Sequence, residues 1–185
     1  MAGHVCPWWL GYFLSCPIRR FYEDPDRLLA GTVRPGMTVL DVGCAMGFFT
    51  LPAARLVGPE GRVIAVDLQE RMIRSLKRRA KRAGLSDRID TRVCSEHSLD
   101  LSDLDGKVDL ALALHVVHEV PDAGNLMSEL YRVTRPSGKL FVVEPEGRVT
   151  VDDFAKTVGV AEQAGYLLES KVALKRGQGA LLAKK

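Results

Sequence analysis

From Met37 onward, short apolar runs alternate with segments whose apolar residues recur at helical spacing, and this alternation restricts the fold more than any other feature. The runs at 38–42, 62–67, 89–94, 108–114 and 140–144 are rich in Val, Ile and Leu without strict alternation, as strands are when both of their faces are covered. Between them Phe49, Ala53, Leu56 and Val57, then Met72, Leu76, Ala80 and Ala83, then Leu126, Leu130 and Val133 repeat with a helical period. Gly84 and the Pro136-Ser137-Gly138 turn read as stops for two of these helices. A further helix over about 151–164 carries Phe154, Val158 and Ala161 and ends at Gly165. Two last runs, 167–174 and 180–183, flank Arg176-Gly177-Gln178-Gly179 and predict an antiparallel hairpin. Repeated βα units closed by a hairpin predict an α/β fold, with a seven-stranded, mostly parallel sheet between helices on both faces.

At 185 residues one such domain is expected, without a second substrate-binding domain. Its apolar content of 46% and charged content of 26% are those of a globular protein, and no apolar run reaches the roughly 18 to 20 residues that span a bilayer. A net charge of +3 does not make a polyanion the natural partner. The basic residues Arg71, Arg74, Lys77, Arg78, Arg79, Lys81 and Arg82 share a helix with Met72, Leu76, Ala80 and Ala83, so they read as its solvated face rather than an RNA track. Cys6, Cys16, Cys44 and Cys94 have no regular spacing, which points to a reduced cytoplasm. A clip of His4, Cys6 and Cys16 lacks a fourth ligand at familiar spacing, and no metal is assigned. No Lys or Arg precedes Phe13-Leu14-Ser15-Cys16, and Pro7 and Gly11 interrupt its apolar stretch, so no signal peptide is expected. One unevenness stands out: Trp8, Trp9, Tyr12, Phe13, Phe21 and Tyr22 crowd into the first 22 positions. A boundary at Asp24-Pro25 separates this aromatic leader, 1–24, from the domain, 25–185.

The first strand runs into Asp41-Val42-Gly43-Cys44-Ala45-Met46-Gly47 and then a helix, the position at which open α/β sheets bind nucleotides. Small residues at 43, 45 and 47 let a ligand approach the backbone. The second strand ends in Asp67, where a carboxylate can accept hydrogen bonds from both hydroxyls of a ribose. A dinucleotide site wants G-x-G-x-x-G, whereas here the last glycine comes one position early and Phe48 and Phe49 crowd the helix start. Asp41 would repel a pyrophosphate and attract an ammonium. The ligand so described has a ribose, a cationic amino-acid end and no phosphate, and S-adenosylmethionine fits.

Met37-Thr38-Val39-Leu40-Asp41-Val42-Gly43-Cys44-Ala45-Met46-Gly47 resembles motif I of the class I S-adenosylmethionine-dependent methyltransferases, D-x-G-x-G-x-G, with Ala45 as the departure. Val63-Ile64-Ala65-Val66-Asp67 resembles motif II. The segment Asp109 to Asp122, with His115-Val116-Val117-His118-Glu119, is similar to the region after strand four in the type 11 small-molecule methyltransferases, and Arg135-Pro136-Ser137-Gly138-Lys139-Leu140 to their R-P-G-G-x-L turn. The resemblance implies a Rossmann-like fold in which Asp41, Gly43, Ala45 and Gly47 surround the methionine end of the cofactor. It implies that Asp67 holds the ribose, Leu68 flanks the adenine, Ser95 or Glu96 meets the adenine amino group, and Leu114 and His115 lie beside the reactive methyl.

In-line methyl transfer asks mostly for positioning, with a general base when the acceptor carries a proton. His115 and His118, just past strand four, and Glu144, ending strand five, are the candidates; the alternative is that a histidine only packs beneath the loop. Between strand five and the next helix, Glu144-Pro145-Glu146-Gly147-Arg148-Val149-Thr150 leaves room for a turn and not for the helices that often roof an acceptor pocket. The leader, through Trp8, Trp9, Tyr12, Phe13 and Tyr22, is the expected lid, with edge packing or a peripheral membrane contact helped by Arg19 and Arg20 as alternatives. The reading is methyl transfer to a small apolar or aromatic acceptor, with O, C, N and S acceptor atoms and a metalloid open. A cofactor-binding subunit completed by a partner, and an RNA or protein methyltransferase, are the alternatives.

Overall fold

Three of the apolar runs form β1 (Thr38–Val42), β2 (Arg62–Asp67) and β3 (Ile89–Val93) in the computed structural model, which describes residues 23–185. The aromatic leader expected to form a lid lies outside the described residues apart from its last two positions. The chain divides into two compact units that part between residues 94 and 95.

In the first unit β1 and β3 flank β2 in parallel register, with Thr38 opposite Arg62 and Val63 opposite Ile89. Val39, Leu40, Ile64 and Ala65 are wholly buried, as strands covered on both sides require. Helix α1 (Pro25–Ala30) starts at Asp24, whose carboxylate accepts the backbone N–H groups of Asp26 and Arg27, and packs on α2 (Thr50–Leu56). Helix α3 (Glu70–Arg82) turns Met72, Ile73, Leu76 and Ala80 inward. It stops as expected at Gly84, whose φ of +67° lets Gly84 N–H reach the Lys81 carbonyl while Leu85 N–H reaches that of Ala80.

The second unit contains β4 (Val108–Leu114), α4 (Ala123–Val133), β5 (Thr134–Pro145), α5 (Val151–Gln163), β6 (Tyr166–Leu174) and β7 (Gly177–Lys184). Asp122 and Thr150 cap α4 and α5 by accepting the N–H groups of Asn125 and Asp153. Strand β5 runs parallel to β4 and antiparallel to β7, which pairs in turn with β6. Among the described residues the first unit orders its strands β3-β2-β1 and the second β4-β5-β7-β6, the expected seven strands with the C-terminal hairpin.

Two expected boundaries move by more than one residue. Strand five begins at Thr134, not at 140, because Pro136-Ser137-Gly138 is a bulge within the strand, with a register shift opposite Val108 and Leu110. A Cβ on Gly138 would lie 2.6 Å from Thr134 Cγ2 and 2.9 Å from the Val108 carbonyl, so the strand can pass there only as glycine. Strand β7 likewise begins at Gly177, where a Cβ would meet the Glu144 carbonyl at 2.7 Å, and the hairpin turn shrinks to Lys175-Arg176. Ser137 occupies the bulge at φ +62° with its side chain exposed, a conformation that costs a non-glycine residue about 1 kcal/mol. Ser137→Gly is therefore expected to raise the melting temperature by about 2 to 4 °C in calorimetry. An unchanged or lower value would show that the serine is not strained.

Candidate functional site

In the first unit β1 hands the chain to a turn that closes on the end of β2. Gly43, Ala45 and Gly47 all have positive φ, at +70°, +46° and +86°, and the N–H groups of Gly43 and Cys44 both donate to the Val66 carbonyl. Ala45 N–H donates to Asp67 Oδ2 and Gln69 N–H to Oδ1, each at 2.8 Å. The Asp67 carboxylate is thereby oriented by two backbone amides. Gly47 suits glycine because its φ of +86° strains any L side chain, and a Cβ there would also push on Leu76 Cδ1 at 2.4 Å. Leu68 follows Asp67 half-buried.

The first-unit residues missed in the sequence are Arg79 and Thr50. Arg79 was expected on the solvated face of α3; instead its guanidinium reaches back to the turn and donates to the Met46 carbonyl at 2.7 Å. It stands at the border of the helix's buried face, and a long flexible arm lets a border residue bury its stem while its head bonds elsewhere. Arg71, Arg74, Lys77, Arg78, Lys81 and Arg82 are exposed as expected. Thr50, the first residue of α2, is fully buried and donates its hydroxyl to Asp41 Oδ2 at 2.6 Å.

Asp41 is buried to 1% exposure beneath this turn. Desolvation pushes its pKa up to about 7; the Thr50 hydrogen bond opposes that shift and the nearby Asp67 charge adds to it. The Cys44 thiol, buried beside the same two carboxylates, is pushed well above its ordinary value and is a packing group rather than a nucleophile.

In the second unit the segment after β3 is built as a local turn. Ser95 Oγ accepts the N–H of Ser98 at 3.0 Å and of His97 at 3.4 Å and donates to the Ser98 carbonyl, while Glu96 is exposed. Glu129 on α4 holds the same segment through Ser98 Oγ and Leu99 N–H. Of the two residues expected to meet an adenine amino group, Ser95 has its hydroxyl engaged in the turn and Glu96 is the one with an exposed carboxylate. Leu114 is buried at the end of β4. His115 follows at φ +61°, a strained position for a non-glycine residue, with its N–H on the Val143 carbonyl at 2.7 Å.

The structure brings His118 and Glu144 together. Glu144 is fully buried; its Oε2 lies 2.5 Å from His118 Nδ1, and its Oε1 accepts the His118 backbone N–H at 3.3 Å. His118 Nε2 lies 3.8 Å from Glu119 Oε1, and that oxygen lies 4.0 Å from Arg148 Nη1. Glu119 and Arg148 were not singled out in the sequence, although Glu119 adjoins His118. Among the described residues no three His, Cys, Asp or Glu side chains converge as a metal site would need.

A Rossmann-like α/β sheet with a glycine turn at the end of β1 and an acidic residue at the end of β2 defines a cofactor-binding fold of the kind used by methyltransferases. Residues 34–172 match the family model described as a methyltransferase domain, and the chain belongs to that family. It is 30% identical over 131 residues to the ubiquinone/menaquinone biosynthesis C-methyltransferase UbiE of Hydrogenovibrio crunogenus, which covers 71% of this chain and 50% of that protein. It is 35% identical over 113 residues to the demethylmenaquinone methyltransferase of Symbiobacterium thermophilum, covering 60% and 43%. The chain thus spans half or less of the length of these curated relatives. A SAM-dependent methyltransferase from Aquifex aeolicus has the same fold, with a TM-score of 0.89 at 24% identity over 98% of this chain and all of that one.

Proposed function

We propose that the chain binds S-adenosylmethionine through the turn after β1 and transfers its methyl group to a small ring-bearing organic acceptor. The observation that carries this reading is the turn itself, closed by Ala45 N–H on Asp67 and underlain by the buried Asp41. Gly43, Ala45 and Gly47 let the methionine end approach the backbone, the oriented Asp67 carboxylate accepts from the ribose hydroxyls, and Leu68 flanks the adenine. The family of the domain supports the cofactor, and the relatives named for ubiquinone/menaquinone biosynthesis and for demethylmenaquinone support a ring-bearing acceptor. The leader, outside the described residues, is proposed to supply the acceptor's cover, since only a turn connects β5 to α5.

Titration of the purified chain with S-adenosylmethionine in a calorimeter tests the reading. Saturable binding with a dissociation constant of about 1 to 100 μM, competed by S-adenosylhomocysteine, is expected. Absence of binding at millimolar concentrations would overturn it.

A further inference from the structure

We propose that the exposed side of α3 is a docking surface for an anionic lipid bilayer. The inference does not depend on which acceptor the chain methylates.

Helix α3 carries seven basic residues and one acidic residue, Glu70. That surplus exceeds the net charge of the whole chain, +3, so the remainder is net negative and the positive charge is gathered on one element. Arg79 turns back to the Met46 carbonyl and does not share the outer face. Arg71, Arg74, Lys77, Arg78, Lys81 and Arg82 are all exposed. At 3.6 residues per turn and 1.5 Å per residue, these six fall within about 140° of arc and about 17 Å of length, so they form a single face.

Exposure alone does not account for this composition. A solvated helix face ordinarily mixes its signs, with opposite charges four residues apart. Here Arg74 and Arg78, Lys77 and Lys81, and Arg78 and Arg82 set like charges at that spacing, and each pair destabilises the helix. The helix dipole favours cations in the last turn but opposes Arg71 in the first. Glu70 pairs with Arg74 at 3.3 Å, whereas Lys77, Arg78, Lys81 and Arg82 have no acidic partner among the described residues. A surface held against its own repulsion is complementary to a polyanion, which removes that repulsion on contact.

The shape and chemistry of the face select the polyanion. Single-stranded nucleic acid asks for aromatic rings among the cations, and no exposed position of α3 is aromatic. A duplex is a cylinder that curves away from a convex helix, so it meets fewer of the six side chains. A bilayer is a flat sheet of negative charge that long Lys and Arg arms reach from both flanks of the face, and a cluster of this size on an amphipathic helix is of the kind that binds anionic lipids. Met72, Ile73, Leu76 and Ala80 are turned inward, so α3 has no apolar side left to insert. Attraction is then by charge alone and is screened by salt.

The test is co-sedimentation of the whole chain with vesicles of phosphatidylcholine alone, and with vesicles in which about 30% of it is replaced by phosphatidylglycerol. Partitioning is expected to be at least about 10-fold stronger onto the phosphatidylglycerol vesicles and to be lost as salt rises from about 0.1 M to about 0.5 M. Arg78→Glu with Lys81→Glu is expected to abolish the difference between the two vesicles, while melting cooperatively and binding S-adenosylmethionine as wild type does. Arg78→Gln with Lys81→Gln, a milder change, is expected to reduce the difference about 5-fold or more. Lys171→Glu with Lys175→Glu changes the net charge by the same amount on exposed residues of another element and is expected to leave partitioning within twofold. Equal partitioning onto both vesicles, or equal loss in the two Glu double variants, would overturn the proposal. So would tighter binding to a duplex RNA of about 20 base pairs than to the phosphatidylglycerol vesicles at the same salt.

Discussion

Asp67→Ala is expected to weaken S-adenosylmethionine binding by at least 100-fold in calorimetry. Two losses combine. The ribose hydroxyls lose a charged acceptor, and a hydrogen bond to a charged group is worth about 1.5 to 3 kcal/mol. The N–H groups of Ala45 and Gln69, each now 2.8 Å from a carboxylate oxygen, are left without it in a place where Asp67 itself is only 8% exposed. Orphaning buried donors costs about 1 to 3 kcal/mol, so thermal stability is expected to fall as well. Asp67→Asn separates the two losses. Its amide oxygen can serve one N–H, but its NH₂ group confronts the other donor and cannot accept from a hydroxyl. Its affinity should therefore fall almost as far as that of the alanine variant, with a smaller loss of melting temperature. Binding within threefold of wild type in both variants would place the ribose elsewhere.

The parts of the fold that were legible in the sequence are those in which one physical rule acts alone. Strands β1, β2 and β4 have the predicted limits because each is an apolar run buried on both faces and bounded by polar residues or glycine. The start of β5 was misplaced because a bulge and a turn use the same residues: Ser137 at positive φ and Gly138 under a close backbone look like a chain reversal when only their identities are known. The glycine turn and Asp67 could be found by spacing, since the strand ends place them. Thr50 could not, because nothing in its polarity announces full burial against Asp41. Arg79 was misread for the opposite reason, since a charge near the solvated side of a helix gives no sign of which backbone carbonyl its arm will reach. His118 and Glu144 were each expected near strand ends, yet their pairing across 26 positions, and the addition of Glu119 and Arg148, depend on how β5 passes the loop after β4.

Asp41→Asn is expected to change stability and cofactor affinity in opposite directions. In the folded chain Asp41 releases its proton at a pH of about 7, against an ordinary value of 3.8, because the ionised form is stripped of water, with only the Thr50 hydroxyl compensating and the Asp67 charge nearby. Between those two values the unfolded chain has lost a proton that the folded chain still holds, so stability falls as pH rises through this window and levels off above it. The cost of the buried charge at pH 8 is of order 4 kcal/mol. Asparagine imitates the protonated acid, keeps an oxygen for Thr50 and carries no charge. Wild type and variant should therefore unfold at similar denaturant concentrations near pH 4, and the variant should be the more stable at pH 8. Affinity should move the other way if Asp41 faces the ammonium of the methionine end. A docked cation favours the ionised carboxylate, so wild-type binding near pH 6 should release a proton, visible as a binding enthalpy that changes with the buffer, and should tighten as pH rises to 8. The variant should bind more weakly at pH 8 and show neither effect. Parallel pH–stability curves for the two proteins would mean that Asp41 is ionised at no special cost, and the function of this buried carboxylate would then have to be sought in the shape of the turn rather than in its charge.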